Sequence, residues 1–244
     1  MLEDVCNDLD YDQVVEKHQI NILGENIIYI KRSKPSKTLL ITMATLKNNG
    51  VYGGLLSYYR HFPGDIVCVT DPTNSYYLRE DGGSHMKAVL AKAMEGYAPE
   101  NVVFFGASMA GYAAIDLALH FNANAVTNNP QLNFDVSRPH AWNELRGFFD
   151  AIPNKHNIDN LPYQSRASVI CAFIGQHPMD IANRDTLLSM CGKIQGIGLI
   201  LANLYDTEHK YYYEGLKGLN IMVDAVLTQR AMTGRIHTKF PNPA

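Results

Sequence analysis

The sequence predicts an α/β fold in which a mostly parallel central sheet carries helices on both faces. Two recurring patterns and one turn carry this expectation. Short, almost wholly apolar runs recur at Leu39–Met43, Ile66–Val69, Val102–Phe105, Ala125-Val126, Val169–Ile174 and Leu199–Leu204, as strands buried on both faces do. Helical patterns alternate with them at Gly54–Phe62, Met86–Tyr97, Met109–Phe121 and Tyr211–Gln229, so the connections read as βαβ crossovers. The turn is Gly106-Ala107-Ser108-Met109-Ala110-Gly111, between the third of those strands and the helix that follows it.

Taken in order, the chain opens on an acidic, polar stretch from Leu2 to Asp8 that lacks the basic start and apolar run of an export signal. Ile20–Leu23 and Ile27–Ile30, separated by Gly24-Glu25-Asn26, have the spacing and turn chemistry of a β-hairpin. After the polar loop Lys31–Lys37 the parallel portion begins. The segment Asp71–Tyr77 follows a strand at its carboxyl end, where ligand groups gather in such sheets. Its mixture of polar and aromatic side chains suits a hydroxylated ligand, with Tyr76 as the contact, or else a solvated loop. Residues 130–166 are too long for a simple crossover and contain Pro130, Pro139, Pro153 and Pro162 around the aromatic piece Trp142–Phe149, which reads as an ordered lid insertion. Arg138 and Arg146 within it either meet an acidic group or are solvated. Gly234–Ala244, with two prolines and no periodicity, reads as a loose end. The whole, residues 1–244, is expected to be a single domain.

Composition narrows the classes of function. With 46% apolar residues the chain can bury a full core, and 21 basic against 24 acidic side chains leave a net charge of -3, which gives no footprint for nucleic acid or for a membrane surface. No stretch approaches the roughly 18 apolar residues of a membrane span. A small-molecule or glycan partner and a cytoplasmic location are the expectations. The four cysteines, Cys6, Cys68, Cys171 and Cys191, are scattered; Cys68 and Cys171 fall in strand-like runs as buried thiols, and no zinc pattern is present.

The glycine-bounded turn holds one serine at its tip. A serine hydroxyl becomes a useful nucleophile when it is held exposed beside a base and beside backbone N–H donors, and small neighbours let the chain bend that tightly. A turn of this kind also suits a phosphate at a helix start, but no Lys-Ser or Lys-Thr follows and no acidic residue closes the next strand.

A strand, a G-x-S-x-small-G turn, a helix, then an acid and a histidine after later strands is the layout of the α/β-hydrolase family, which the chain resembles from about Leu39 to Gln229. The resemblance implies a serine esterase or acyl hydrolase in which Ser108 is the nucleophile, His209 the base and Asp180 the orienting acid, without metal or cofactor. Asp180 lies in the loop after Val169–Ile174, and His209 follows the last strand; Asp185 is the second candidate acid, read instead as opening a helix at Thr186–Cys191. The Met109 N–H would be one oxyanion donor and the chain near Ala44 or Thr45 the other. Two positions depart from the family pattern: Ala110 stands where Gly is common, and no His-Gly-Gly segment occurs at Met43–Leu46.

Substrate contacts are expected from Tyr76, Trp142 and His177. Their polar and aromatic character, with no long apolar groove, favours short acyl esters, including O-acetyl groups on glycans. Acyl transfer by the same three residues, and a non-catalytic binding module on the same fold, are the competing readings.

Overall fold

The computed structural model describes residues 9–34, 36–163, 167–194, 196–211 and 216–239. Its sheet is built from β1 (Gln19–Ile22), β2 (Glu25–Ile30), β3 (Leu39–Met43), β4 (Asp65–Val69), β5 (Val102–Ala107), β6 (Asn124–Asn128), β7 (Val169–Ile174) and β8 (Gly198–Asn203). The strands lie in the order β1-β2-β4-β3-β5-β6-β7-β8. β1 and β2 form an antiparallel hairpin that adds to β4, and every pairing from β4 to β8 is parallel. The hairpin turn is two residues long, with Leu23 at φ 52 and Gly24 at φ 91, the doubly left-handed geometry that matches strand twist.

Chain order reverses at β3, which has β4 on one side and β5 on the other. In open α/β sheets the crevice outside the carboxyl ends at such a reversal is where ligands bind. Alternation along the strands sends Leu39, Ile41, Val102 and Phe104 to one face and Leu40, Ile66, Val103 and Phe105 to the other. The second face is covered by α1 (Tyr11–His18), α2 (Leu55–His61) and α8 (Leu216–Lys239). The first is covered by α3 (Ser84–Ala93), α4 (Met109–His120), α7 (Pro178–Lys193) and the segment after β6, with α5 (Phe134–Ser137) and α6 (Asn143–Ala151). Both faces are therefore covered, as the apolar runs require.

α4 is buried at every residue from Met109 to Leu119, because it is enclosed by the sheet and by the excursion after β6. Its small residues allow that approach: a Cβ on Gly111 would stand 2.4 Å from the Thr127 hydroxyl oxygen. The described residues of the excursion are tied to the body and to one another. Tyr112 donates its hydroxyl to the His156 carbonyl at 2.8 Å, and the Tyr163 hydroxyl bonds Asp116, which also pairs with Lys87 at 3.2 Å. Arg138 pairs with Asp150 at 2.8 Å and Arg146 donates to the Arg138 carbonyl at 3.2 Å, so both arginines are used within the excursion itself.

Two expectations are corrected and one element was not expected. α1 has no counterpart in the sequence reading, although Asp10 and Gln13 form a capping box that starts it. α7 begins at Pro178 rather than near Thr186, so Asp185 lies inside the helix, exposed and paired with Arg184 at 3.0 Å, and caps nothing. The supposed loose end is helical as far as Lys239; residues 240–244 lie outside the described residues, as do Cys6 and the acidic start. Cys68 and Cys171 are buried free thiols as expected, and burial pushes Cys68 up to about 12. Among the described residues no helix is long and apolar enough to cross a membrane.

Candidate active site

Ser108 occupies the point between β5 and α4 at φ 54, ψ -117, a conformation that L residues adopt only when the surroundings enforce it. Those surroundings are visible. The Ser108 N–H donates to the Asn128 carbonyl at 2.9 Å, its own carbonyl accepts from the Tyr112 N–H at 3.1 Å, and Gly106 leaves room for the return of the chain at Ala110. Ala110 fits because its Cβ faces the bare Cα of Gly106; a Cβ there would stand 2.8 Å from it. The departure from Gly at position 110 is thus absorbed by the glycine four residues earlier.

His209 follows β8, and its Nε2 lies 3.0 Å from the Ser108 Oγ. Its Nδ1 lies 2.5 Å from the Asp180 Oδ1. A carboxylate oxygen accepts, so this pairing places the proton on Nδ1 and leaves Nε2 to accept from the serine hydroxyl. Asp180 is 1% exposed and sits in the first turn of α7, where the free N–H groups of a helix start favour a carboxylate. Its Oδ2 is buried with no hydrogen-bond partner among the described residues. The acid is therefore carried by a helix and not by the loop that the sequence suggested. His177-Pro178 is the missed signal: Pro at the first helical position, preceded by a side chain that accepts the Met179 N–H at 3.3 Å.

The two oxyanion candidates after β3 separate. The Ala44 N–H donates to the Val69 carbonyl at 3.0 Å and is spent in the sheet, whereas the Thr45 N–H has no partner among the described residues. Thr45 also donates its hydroxyl to the Ala107 carbonyl at 2.9 Å, which binds this loop to the serine turn. Met109 is the first residue of α4, so its N–H has no acceptor within the helix. Tyr77, read from the sequence only as part of a ligand-facing or solvated segment, supports the arrangement from below by donating to the Ala44 carbonyl at 2.8 Å.

Of the expected substrate contacts, Trp142 stands at the site with its ring 6.0 Å from that of His209 and 44% exposed. His177 also lies 6.0 Å from His209, and burial lowers its pKa against a smaller opposing pull from Asp180. Tyr76 does not belong there. It is fully buried, with its hydroxyl on Gln131 and its ring against Tyr112, Phe134 and Phe149, because Asp71 folds the loop inward by accepting the Ser75 and Tyr77 N–H groups at 2.7 and 2.9 Å.

A pocket of about 240 Å³ opens at the carboxyl ends of β3 and β5, walled by Thr45, Asn48, Gly54, Tyr58, Phe105 and Tyr211. The Tyr58 and Tyr211 hydroxyls bond each other, and burial pushes Tyr211 up to about 12, so both face the pocket as neutral phenols. A larger cleft of about 640 Å³ lies apart, beside the hairpin, and its principal charges, Arg79 and Glu25, are paired with each other. None of Ser108, His209 and Asp180 lines either space, but the smaller pocket reaches Gly106 and Ala107, the two residues that lead into Ser108. Among the described residues no three His, Cys, Asp or Glu side chains are grouped to hold a metal ion.

No protein-family model matches this sequence, and no curated protein is significantly similar to it in sequence. Solved structures do match. Acetyl xylan esterase 1 from Thermoanaerobacterium sp. JW/SL YS485 superposes with a TM-score of 0.57 at 15% identity, over 86% of this chain and 81% of that one. The HSL-homolog EstE7 from a metagenome library gives 0.56 at 9% identity, over 88% and 85%. The capsule O-acetyltransferase of Neisseria meningitidis serogroup A gives 0.57 at 12% identity, over 88% of this chain and 99% of that one. With the strand order and the serine turn, these likenesses establish that the chain has the α/β-hydrolase fold.

Proposed function

We propose that the protein is a serine esterase that cleaves short acyl esters, acetyl esters on a glycan in particular, through an acyl-enzyme intermediate. The observation that carries the reading is the relay Ser108–His209–Asp180, with contacts of 3.0 and 2.5 Å and the serine held at φ 54. As the Ser108 Oγ attacks the carbonyl carbon, His209 Nε2 takes its proton, and Asp180 holds the ring and offsets the charge it gains. The tetrahedral oxyanion is received by the N–H groups of Met109 and Thr45; each such donor contributes on the order of 10²–10³ in rate. Collapse expels the alcohol, which leaves with the proton from His209. Water, deprotonated by the same nitrogen, then releases the acid and restores Ser108. The scheme requires no metal or cofactor.

The pocket beside Gly106 and Ala107, which lead into Ser108, supports a short acyl group by its size: about 240 Å³ is below the roughly 300 Å³ at which sites for drug-sized ligands begin. The exposed face of Trp142 beside His209 suits the apolar face of a sugar ring. The excursion that carries Trp142 would then act as a lid over the leaving group. Acyl transfer is the second reading, favoured because the capsule O-acetyltransferase is matched over nearly its whole length. In that case an acceptor hydroxyl replaces water in the second half of the reaction.

A fluorophosphonate probe tests the reading: wild type should label, and Ser108→Ala should not. An unlabelled, folded wild type would reject catalysis in favour of a binding module. Rates on p-nitrophenyl esters should fall as the acyl chain lengthens, and a clear preference for long chains would overturn the short-acyl assignment. Product analysis with and without a glycan acceptor separates hydrolysis from transfer.

A further inference from the structure

We propose that Asn129 is a positioning residue that sets His209 against Asp180, an inference that rests on the esterase reading above. The carboxyl end of β6 touches all three segments of the relay. The Asn128 carbonyl accepts the Ser108 N–H at 2.9 Å. The next residue, Asn129, is 1% exposed and turns the chain at φ 41, in the left-handed region that Asn tolerates better than most residues. Its N–H donates to the Phe173 carbonyl at 2.9 Å and its Oδ1 accepts the Gly175 N–H at 2.8 Å, so it grips the end of β7 where the chain turns toward Asp180. Its Nδ2 donates to the Lys210 carbonyl at 2.9 Å, one residue beyond His209.

A side-chain amide meets both demands at neutral pH. One loop presents an N–H and the other a carbonyl, and a primary amide offers an acceptor and a donor to them on a single planar head. A carboxylate could accept from Gly175 but not donate to Lys210; a methyl group could do neither. A second tie holds the beginning of the same loop: the Gln176 N–H donates to the Asp206 carbonyl at 2.6 Å and its Nε2 to the Leu204 carbonyl at 2.9 Å. Loss of Asn129 should therefore loosen the loop at His209 while leaving it attached at its start.

The test compares N129A and N129D with wild type on p-nitrophenyl acetate, with V226A, a buried α8 substitution away from the site, as the control for general destabilisation. Misplacement of a reacting group by about 1 Å costs on the order of 10²-fold, so both Asn129 variants should lose about that factor in kcat with KM changed by less than about threefold. N129D adds a signature that a structural role would not produce. Its new carboxyl would be buried, hence protonated at a higher pH than a free one, and once protonated it could donate to Lys210 while accepting from Gly175. The kcat ratio of N129D to wild type should therefore rise as pH falls. A wild-type kcat in either variant, a pH-independent ratio, or an equal kcat loss in V226A at a matched unfolding midpoint would overturn the inference. If N129A does not fold, the isosteric N129D decides. S108A keeps the two ideas apart: if it stays active the esterase reading fails, and if it is inactive while the Asn129 variants behave as wild type, only the positioning role fails.

Discussion

A Cβ on Gly106 would stand 2.3 Å from the carbonyl oxygen of Ala110. That oxygen belongs to the backbone of the first turn of α4 and cannot swing aside as a side chain would. Gly106→Ala should therefore cost about 1–3 kcal/mol of stability through overpacking and slow labelling of Ser108 as the turn opens. Ala110→Gly should not rescue it, because the obstructing atom is the carbonyl oxygen rather than the methyl group. Urea midpoints and labelling rates check both statements; a G106A protein of wild-type stability would show that the turn is not closed in this way.

Exchange of the two candidate acids for amides should separate them completely. Asp180→Asn keeps the shape but exchanges the carboxylate for a neutral amide whose NH2 can donate to Nδ1 and hold the wrong histidine tautomer, and kcat should drop by about 10⁴-fold. Asp185→Asn breaks an exposed pair with Arg184, worth no more than about 1 kcal/mol, and should leave kcat within about twofold. Steady-state kinetics of the two variants decides, and a large effect at Asp185 would reassign the acid.

Two aromatic residues expected to play the same part should answer mutation differently. Trp142→Ala removes an exposed ring beside His209 and should raise KM by a few-fold to tenfold with kcat little changed, as the loss of about 0.5–1.5 kcal/mol of ring contact implies. Tyr76→Phe leaves the Gln131 amide oxygen without its buried donor and should cost about 1–3 kcal/mol of stability with KM unchanged. Kinetics on a glycan ester and thermal unfolding, run on both variants, read this contrast.

Stability should fall with mild acid before carboxylates begin to protonate. Burial lowers the pKa values of His18, His120, His156 and His177 below the usual 6.5. A group whose pKa is lower folded than unfolded takes up its proton more readily in the unfolded chain, so its contribution is complete above about 6.5 and is lost as pH falls through the lower folded value. Glu25, held low by its bond to Arg79, adds a second loss only below about 4.5. Urea midpoints should therefore decline between pH 7 and pH 5; an unchanged midpoint over that range would show that these rings protonate freely in the folded protein.

The strands were legible because burial on both faces leaves an apolar run that little else produces. Ser108, Asp180 and His209 were legible as an order along the chain, since each follows a strand at its carboxyl end. The start of α7 was also written in the sequence, in His177-Pro178, but a Pro at a helix start and a Pro in a loop look alike until the following residues are seen to pack. Tyr76 and Ala44 were misplaced for a different reason. Whether a side chain points inward, or an N–H is already taken, depends on partners distant in the chain: Gln131 for the first and Val69 for the second. Asn129 belongs to the same group, because its worth lies wholly in Gly175 and Lys210.

The carriage of Asp180 by the first turn of α7 has a consequence for how the chain can vary. A carboxylate fixed by a helix start is indifferent to the length of what comes after the helix, so the connection from α7 to β8 should gain or lose residues without disturbing the acid. The five residues from Gly175 to Met179 have no such latitude, since one insertion there would rotate the helix start away from His209. Variation is expected on the far side of α7, and an engineer grafting a new segment into this protein should put it there.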